Sequence, residues 1–361
     1  MKNIHRILTC VLFGILLMPS MNANAGNDDR RGTSGAGELL INPWVKSSGW
    51  GGVNTACGSG VDALFSNVAG LAHTTGTEAN LGYTAWLQNS GISNIAIGLA
   101  QSLGDYGVLG LSVNSMNFGT IERTTVGSPE MGNNGTYKIS MMNIALSYAK
   151  AFSNTIYAGA TLKIVNEGID NVTGTGFAID AGVKYVTGEN YELKFGIALK
   201  NWGPSMSFSG DGLSVNALFE NSNHYQTLEQ RSSSFELPSS LNIGISYDLL
   251  FAENTHRVTL AGNFASMAFG RDLYTAGVEY GFMKYFMLRA SYTYEEGLTK
   301  SIYDEDGSTS IMGGFACGAS VVAPLSKAKN GKNGMNLSLD YSFRATKVMG
   351  GIHSVGLSLA L

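Results

Sequence analysis

Apolar and polar side chains alternate along most of this chain from residue 78 to the end. Residues 335–344 show the pattern most clearly, because the large apolar side chains are Met335, Leu337, Leu339, Tyr341 and Phe343. The residues between them are Asn, Ser, Asp, Ser and Arg. Successive side chains of a β-strand point to opposite faces, so each such segment has one apolar and one polar face.

Fourteen segments show this alternation, and they predict an all-β, fourteen-stranded antiparallel transmembrane β-barrel with lipid outside and a polar lumen. The predicted strands cover residues 78–88, 91–102, 106–118, 137–149, 153–166, 176–187, 190–201, 237–248, 255–265, 272–282, 285–295, 311–322, 333–344 and 350–361. The long connections, near 119–136, 202–236 and 296–310, all follow odd-numbered strands. Barrels of the bacterial outer membrane have longer loops on the outer side, so this regularity predicts periplasmic termini.

The first 77 residues divide into two parts before the first strand. Residues 1–25 have a basic start, an apolar stretch of about twelve residues and a small-residue cleavage site, which together predict a secretory signal peptide. Residues 26–77 do not alternate, and they contain one helical candidate, residues 60–71. Their length suits an N-terminal plug or hatch inside the barrel. The predicted organisation is therefore signal peptide 1–25, plug 26–77 and outer-membrane barrel 78–361.

Composition supports the barrel and argues against several other classes of protein. Charged residues are 14% of the chain, against about 25% in an average soluble domain. The net charge of −4 does not suggest nucleic-acid binding. The histidines have no metal-ligand spacing, and the acidic residues near 295–306 indicate a solvated loop. We therefore expect no enzyme activity, no cofactor, no metal and no disulfide between Cys57 and Cys317.

By their positions in the alternation, several charged residues fall on the polar face, which is predicted to line the lumen. Pointing these side chains inward avoids about 2–4 kcal/mol for each charge that would otherwise face lipid near the bilayer centre. One interpretation is that they pair across strands and fill a closed lumen, and the other is that they line a polar path for a solute. The set is Lys163, Asp180, Lys184, Lys194, Lys200, Asp248, Arg257, Glu279, Arg289, Asp340 and Arg344.

Three N-terminal stretches carry a family signal. Residues 32–43 read Gly-Thr-Ser-Gly-Ala-Gly-Glu-Leu-Leu-Ile-Asn-Pro, and residues 48–56 read Ser-Gly-Trp-Gly-Gly-Val-Asn-Thr-Ala. Residues 60–72 read Gly-Val-Asp-Ala-Leu-Phe-Ser-Asn-Val-Ala-Gly-Leu-Ala. These stretches resemble the PorV/PorQ family of type IX secretion outer-membrane proteins, whose members typically have Met and Pro where this chain has Trp50 and Val68. The wider superfamily is the FadL-like barrel, and the resemblance implies a hatch that contains Trp50, Gly51, Gly52, Phe65, Asn67, Ala69 and Gly70.

The resemblance implies a non-enzymatic role in protein secretion. Relatives bind cargo with a C-terminal sorting domain, or partners in the translocon or attachment complex, through extracellular loops. The long connection 202–236 is the candidate loop here, and it could hold a partner or fold back over the barrel. Its apolar residues are Leu213, Val215, Leu218, Phe219 and Tyr225.

Two other hypotheses remain open at this point. The first is a FadL-type channel for hydrophobic small molecules, which would hold lipid or fatty acid in the lumen. It predicts an apolar pocket beside the hatch, near Trp44, Trp50 and Phe65. The second is a surface barrel that assists adhesion or motility. All of these hypotheses place the chain in the outer membrane, in contact with its lipid.

Overall fold

Fourteen long strands form the main sheet of the protein. The computed structural model describes residues 26–130, 134–218, 224–252, 255–301, 307–308, 310–326 and 334–361, so the predicted signal peptide lies outside the described residues. The strands are β1 Thr77–Trp86, β2 Ile92–Ser102, β3 Val108–Asn117, β4 Ile139–Ala151, β5 Ile156–Ile169, β6 Val172–Thr187, β7 Leu193–Trp202, β8 Ser240–Phe251, β9 His256–Met267, β10 Leu273–Phe282, β11 Phe286–Glu295, β12 Met312–Pro324, β13 Asn336–Thr346 and β14 Ile352–Ala360.

The sheet closes on itself as an antiparallel barrel. Each strand pairs with the next along the chain, and β1 pairs with β14 in a register that sets Leu81 opposite Leu357. The predicted fourteen-stranded antiparallel barrel is therefore confirmed. In the described part of the chain, no helix has the length and apolar character needed to cross a membrane.

The largest single difference from the predicted strand bounds is at the start of β6. The sequence predicted a connection from 167 to 175, but β5 continues to Ile169 and β6 begins at Val172. The two strands meet in a tight turn with Asp170 at φ 51°. Alternation in this stretch uses Thr and Gly rather than large apolar residues, so it carries a weak strand signal.

The two faces of the wall differ as the alternation predicted. On β5, Leu162 and Ile164 are 49% and 42% exposed on the outer surface, whereas Thr161, Lys163 and Val165 are buried inside. The outward apolar positions therefore form a lipid-facing surface, and the inward positions form a polar lumen.

Residues 26–76, which we call the inner segment, contact the inward face of the barrel wall. Two inward glycines show how closely they approach it. A Cβ at Gly98 would lie 2.5 Å from the Trp44 ring, and a Cβ at Gly182 would lie 2.1 Å from the Asn67 side chain. Any larger side chain at these positions would displace the inner segment, so glycine makes room for it.

The inner segment runs from one end of the barrel to the other. We call the end where β1 starts, at Thr77, the lower end and the opposite end the upper end. The amide of Asn27 donates to the carbonyl of Met267, at the upper end of β9, over 3.4 Å. The amide of Leu361 donates to the carbonyl of Thr77, at the lower end, over 2.8 Å. The prediction that both termini of the mature chain are periplasmic is therefore wrong, because Gly26 and Leu361 lie at opposite ends.

The single helix predicted over 60–71 is also wrong. The chain forms a 3₁₀ turn at Gly60–Asp62, an α-helical turn at Ala63–Ser66 and a second 3₁₀ helix at Val68–His73. Asn67 separates the last two because its backbone is extended, at φ −157° and ψ 107°. Its side chain accepts a hydrogen bond from the amide of Ala69, so it caps the helix that follows.

Candidate functional site

The inner segment separates two cavities within the barrel. The upper cavity has a volume of about 480 Å³, and the lower cavity has a volume of about 260 Å³. The turn at Trp50, Gly51 and Gly52 lies between them, because both glycines line the upper cavity and Trp50 lines the lower one. The predicted hatch residues of this turn thus form part of the partition.

The geometry of this turn requires glycine. Gly51 and Gly52 have φ values of 60° and 76°, which residues with a Cβ adopt only at a cost. The amides of Trp50 and Gly52 both donate to the carbonyl of Ser47, over 3.2 and 3.0 Å. These bonds fold the chain back on itself, and the Trp50 side chain is buried as a result.

A chain of polar side chains supports the turn from inside. The Asn42 amide nitrogen donates to the Ser47 hydroxyl over 2.6 Å, and that hydroxyl donates to Asn54 Oδ1 over 2.7 Å. Asn42 Oδ1 also accepts from the amide of Trp44 over 3.1 Å. The sequence analysis did not identify this network. The short spacing of Asn42, Ser47 and Asn54 was the only available signal.

Asn67 fixes the lower part of the inner segment to the wall. Its Nδ2 donates to the carbonyl of Thr55 over 3.0 Å and to the carbonyl of Val183, on β6, over 3.1 Å. Two other predicted hatch residues lie beside it. Ala69 is fully buried, and a Cβ at Gly70 would lie 2.3 Å from the carbonyl oxygen of Gly58.

The upper cavity has a largely apolar lining that also includes three cationic side chains, Lys200, Arg271 and Arg344, and the Glu295 carboxyl. The Lys200 ammonium lies 3.5 Å from the centre of the Phe65 ring, and Arg344 lies on β13. Within the described residues, no ion pair joins Lys200 or Arg344 to a carboxylate. Apolar side chains of the lining include Leu40, Ile41, Phe65, Trp86, Met267, Leu273 and Leu298.

The pocket predicted near three aromatic residues is only partly present. Phe65 lines the upper cavity, but Trp50 lines the lower one. Trp44 is buried in a core cluster with Val61 and Leu64, and together with Phe65 it lines only a small space of about 30 Å³.

The lower cavity is lined by four cations and four carboxylates. The carboxylates are Asp62, Glu78, Asp248 and Glu279, and the cations are Lys46, Lys194, Arg257 and Arg289. Two predicted lumen charges, Lys194 and Asp248, form an ion pair, and the Thr259 hydroxyl also donates to Asp248 over 2.6 Å. Glu279 pairs with both Arg257 and Arg289, the latter over 2.5 Å. The cavity therefore has equal numbers of cationic and carboxylic side chains, and all of them except Glu78 form a described ion pair, the Lys46–Asp62 pair being the longest at 3.9 Å.

The remaining predicted lumen charges also find partners on the inward face. Lys163 and Asp180 are 2.5 Å apart, and Lys163 donates to Asn201 Oδ1 over 2.8 Å. Lys184 donates to the carbonyl of Gly58 over 3.0 Å. Asp340 accepts from the Ser338 and Ser358 hydroxyls, over 3.0 and 3.2 Å.

Burial alters the acidity of several groups in the inner segment. Burial, together with the adjacent Glu167 carboxyl, raises the pKa of Glu38 to about 8. Burial also raises the pKa of Asp62 to about 6, although Lys46 opposes that shift. The His73 ring has a pKa lowered to about 3 by burial and by Lys184. Glu38 is thus protonated at neutral pH, which removes a charge from the interior.

Three of the predicted loop residues, Val215, Leu218 and Tyr225, lie on a hairpin in the connection between β7 and β8, and Leu213 ends the 3₁₀ turn before it. Strands Ser214–Leu218 and Tyr225–Glu229 pair antiparallel, with Leu218 opposite Tyr225. Val215, Leu218 and Tyr225 are 47%, 55% and 73% exposed, and Leu213 is half-buried. Phe219 lies outside the described residues. The described residues contain no group of three or more His, Cys, Asp or Glu side chains that could hold a metal ion.

Two solved structures with a similar fold are of a protein described as a monoaromatic hydrocarbon channel. A mutant of the monoaromatic hydrocarbon channel TodX is similar with a TM-score of 0.55 at 14% identity, over 87% of this chain and 97% of that one. A second TodX mutant is similar with a TM-score of 0.50 at 15% identity, over 86% of this chain and 97% of that one. For a Pseudomonas aeruginosa FadL homologue the TM-score is 0.45 at 11% identity, over 87% of this chain and 96% of that one.

The first two likenesses show that the chain shares the barrel fold of TodX. At these identities they show the fold alone. No family model matches the sequence, and no curated protein matches it.

Proposed function

We propose that the protein is a FadL-type outer-membrane channel for hydrophobic small molecules, and that it catalyses no reaction. The observation that carries this proposal is the upper cavity, an apolar space of about 480 Å³ whose floor is the inner segment. Small-molecule sites in proteins usually have volumes of about 300–1,000 Å³ and an apolar lining with a few polar groups. A channel needs such a site between the outer loops and the partition.

The ligand should carry an acidic or strongly hydrogen-bonding group. Lys200 and Arg344 both line the upper cavity, and neither is joined to a described carboxylate by an ion pair. A cation in a largely apolar cavity is stabilised when an anion binds beside it. A medium-chain carboxylic acid fits this combination. The fold of TodX supports transport in general, and that protein is described as a monoaromatic hydrocarbon channel.

A binding experiment with two matched ligands tests this proposal. The affinities of decanoate and decanol would be measured on the purified barrel by displacement of a fluorescent fatty-acid analogue. Arg344→Gln should weaken decanoate about tenfold, equivalent to about 1.4 kcal/mol, and leave decanol nearly unchanged. Arg257→Gln, in the lower cavity, is the control and should change neither. Equal affinities for both ligands in all three proteins would contradict the role of Arg344.

The outer hairpin supports a second candidate function, the PorV/PorQ-like binding of secretion partners. Val215, Leu218 and Tyr225 are exposed on one short hairpin at the upper end, which is more apolar surface than solvation of a loop requires. A partner with an apolar β-domain, such as cargo with a C-terminal sorting domain, could bind there.

A pull-down from the native outer membrane tests this second candidate. Gentle-detergent purification of the tagged barrel should recover translocon, attachment-complex or cargo proteins. Deletion of 214–229 should abolish that recovery while the barrel still assembles. Recovery that is unchanged by the deletion would exclude the hairpin as the binding surface.

A further inference from the structure

The first described residues of the chain lie across the upper end of the barrel. We call residues 26–36 the strap. The strap contacts three separate connections of the upper end, namely those between β7 and β8, between β9 and β10, and between β11 and β12. It enters the lumen only after Ala36, where the rest of the inner segment begins.

Polar contacts hold the strap to these connections. Arg30 Nη2 donates to Glu236 Oε1 over 2.6 Å, and its guanidinium lies 4.3 Å from the centre of the Phe269 ring. Arg31 Nη1 donates to the carbonyl of Gly307 over 3.4 Å. The amide of Gly35 donates to the carbonyl of Glu236 over 3.0 Å.

These contacts are weak compared with those that hold the next residues. The side chains of Arg30 and Glu236 are 43% and 58% exposed, and exposed ion pairs contribute about 0–1 kcal/mol. No described side chain of the strap before Ala36 is buried. From Ala36 onward the chain joins a buried cluster with Leu39, Val165, Ala178, Met206 and Leu237. The strap therefore belongs to the least stable part of the inner segment.

The boundary between the weak and strong contacts has the geometry of a hinge. Ala36 has a φ of 51°, in the left-handed region that residues with a Cβ rarely occupy, and Gly37 follows it. A strap that moved away about this point would leave the buried cluster in place.

The strap contacts a connection that lines the upper cavity. Phe269, which lies under Arg30, lines that cavity together with Gly270 of the same connection and with Met267 at the end of β9. Gly37 and Leu40, just after the strap, line it as well. Movement of the strap would therefore free the connection that forms this side of the cavity.

We propose that the strap is a releasable closure of the upper cavity, which moves outward about Ala36 to admit a ligand from the upper side. This inference rests on the proposed function, because it assigns the cavity a ligand. The strap limits the rate of entry and contributes little to the affinity, since it does not itself line the site.

An engineered disulfide, which can be formed and then reduced, tests whether the strap must move for a ligand to enter. Ser34 and Glu236 are bridge partners, so Ser34→Cys with Glu236→Cys places two thiols at neighbouring backbone positions. Glu122 and Thr136 are partners in another outer connection, and Glu122→Cys with Thr136→Cys is the matched control. The association rate of a fluorescent fatty-acid analogue would be measured by stopped flow for each oxidised and reduced protein, with the single-cysteine variants alongside.

The strap lock should slow association at least tenfold when oxidised, with full recovery after reduction and no change in the control. Equal rates in the oxidised and reduced strap variant would overturn the closure. Failure of the reduced protein and of the control to bind the probe would instead overturn the proposed function, and the strap's role with it. Hydrogen exchange at 27–35 as slow as at 39–50 would also overturn a releasable strap.

Discussion

The upper and lower cavities lie in one lumen but differ in how their charged side chains are paired. In the lower cavity four carboxylates match four cations, and Glu279 joins two arginines. In the upper cavity Lys200 and Arg344 line a largely apolar space together with Arg271 and Glu295, and neither Lys200 nor Arg344 forms an ion pair with a described carboxylate. The contrast distinguishes two kinds of lumen charge. A paired charge would be destabilised by the loss of its partner, and under the proposed function an unpaired one would contact the ligand.

Removing a paired charge should have the largest effect on stability. Glu279→Gln leaves Arg257 and Arg289 without their carboxylate, and Arg289 is buried. Breaking one side of a buried ion pair typically costs about 3–5 kcal/mol. The midpoint of urea unfolding in detergent should fall accordingly. Arg344→Gln is the control from the upper cavity and should change the free energy of unfolding by less than about 1 kcal/mol. Similar losses for the two variants would remove the distinction between the cavities.

Raising the pH should destabilise the partition between the cavities. The folded protein raises the pKa of Glu38 from 4.5 to about 8, so the folded state holds a proton that the unfolded state releases. Stability is therefore highest below pH 4.5 and falls as the pH rises toward 8, by an amount on the order of 3 kcal/mol. Unfolding midpoints at pH 5, 6, 7 and 8 should show this decline. Glu38→Gln should make the decline smaller, and Asp62, whose pKa burial raises to about 6, contributes to what is left. An equal decline in the variant would assign the whole effect to other groups.

Removing the side chain that fixes the inner segment should have a smaller effect. Asn67→Ala loses the bonds to Thr55, Val183 and the amide of Ala69, which should cost about 2 kcal/mol. The loss should appear as faster hydrogen exchange at 54–73 with little change in the barrel strands. Ser59→Ala, at an exposed position nearby, is the control. Unchanged exchange in Asn67→Ala would show that glycine packing alone holds the segment.

Changing the exposed hairpin should leave the barrel almost unaffected. Val215→Ser and Leu218→Ser remove apolar surface that is about half exposed, so we expect a change within about 0.5 kcal/mol. The unfolding midpoint measures this change, and the pull-down measures any loss of partners. A marked loss of stability would show that the hairpin packs on the barrel.

Alternation predicted the wall of the barrel well because the polarity of a strand residue depends on which face its side chain is on. Leu162 faces lipid and Lys163 faces the lumen, and their positions in the alternation are enough to predict both. The partners of the charges were not predictable in the same way. Lys163 pairs with Asp180 across the β5–β6 hairpin, but Asn201 joins them from β7, at a bulge that the alternation does not show.

The inner segment was predicted less well because its structure depends on contacts distant in sequence. The pattern over 60–71 resembles one helix, but Asn67 breaks it to bond with Val183 on β6. The upper position of Gly26 likewise depends on the contact of Asn27 with Met267. The lengths of the loops indicate only where one strand ends and the next begins. They could not indicate that the inner segment crosses the lumen before β1.

The most direct test of the central claim is to fill each cavity in turn and measure decanoate binding by calorimetry. Ala265 lines the upper cavity, and Ser59 lines the lower one. The account predicts that Ala265→Phe abolishes binding and that Ser59→Phe preserves the affinity of the unmodified protein. Binding that survives Ala265→Phe and disappears with Ser59→Phe would contradict the account and place the ligand in the charged lower cavity.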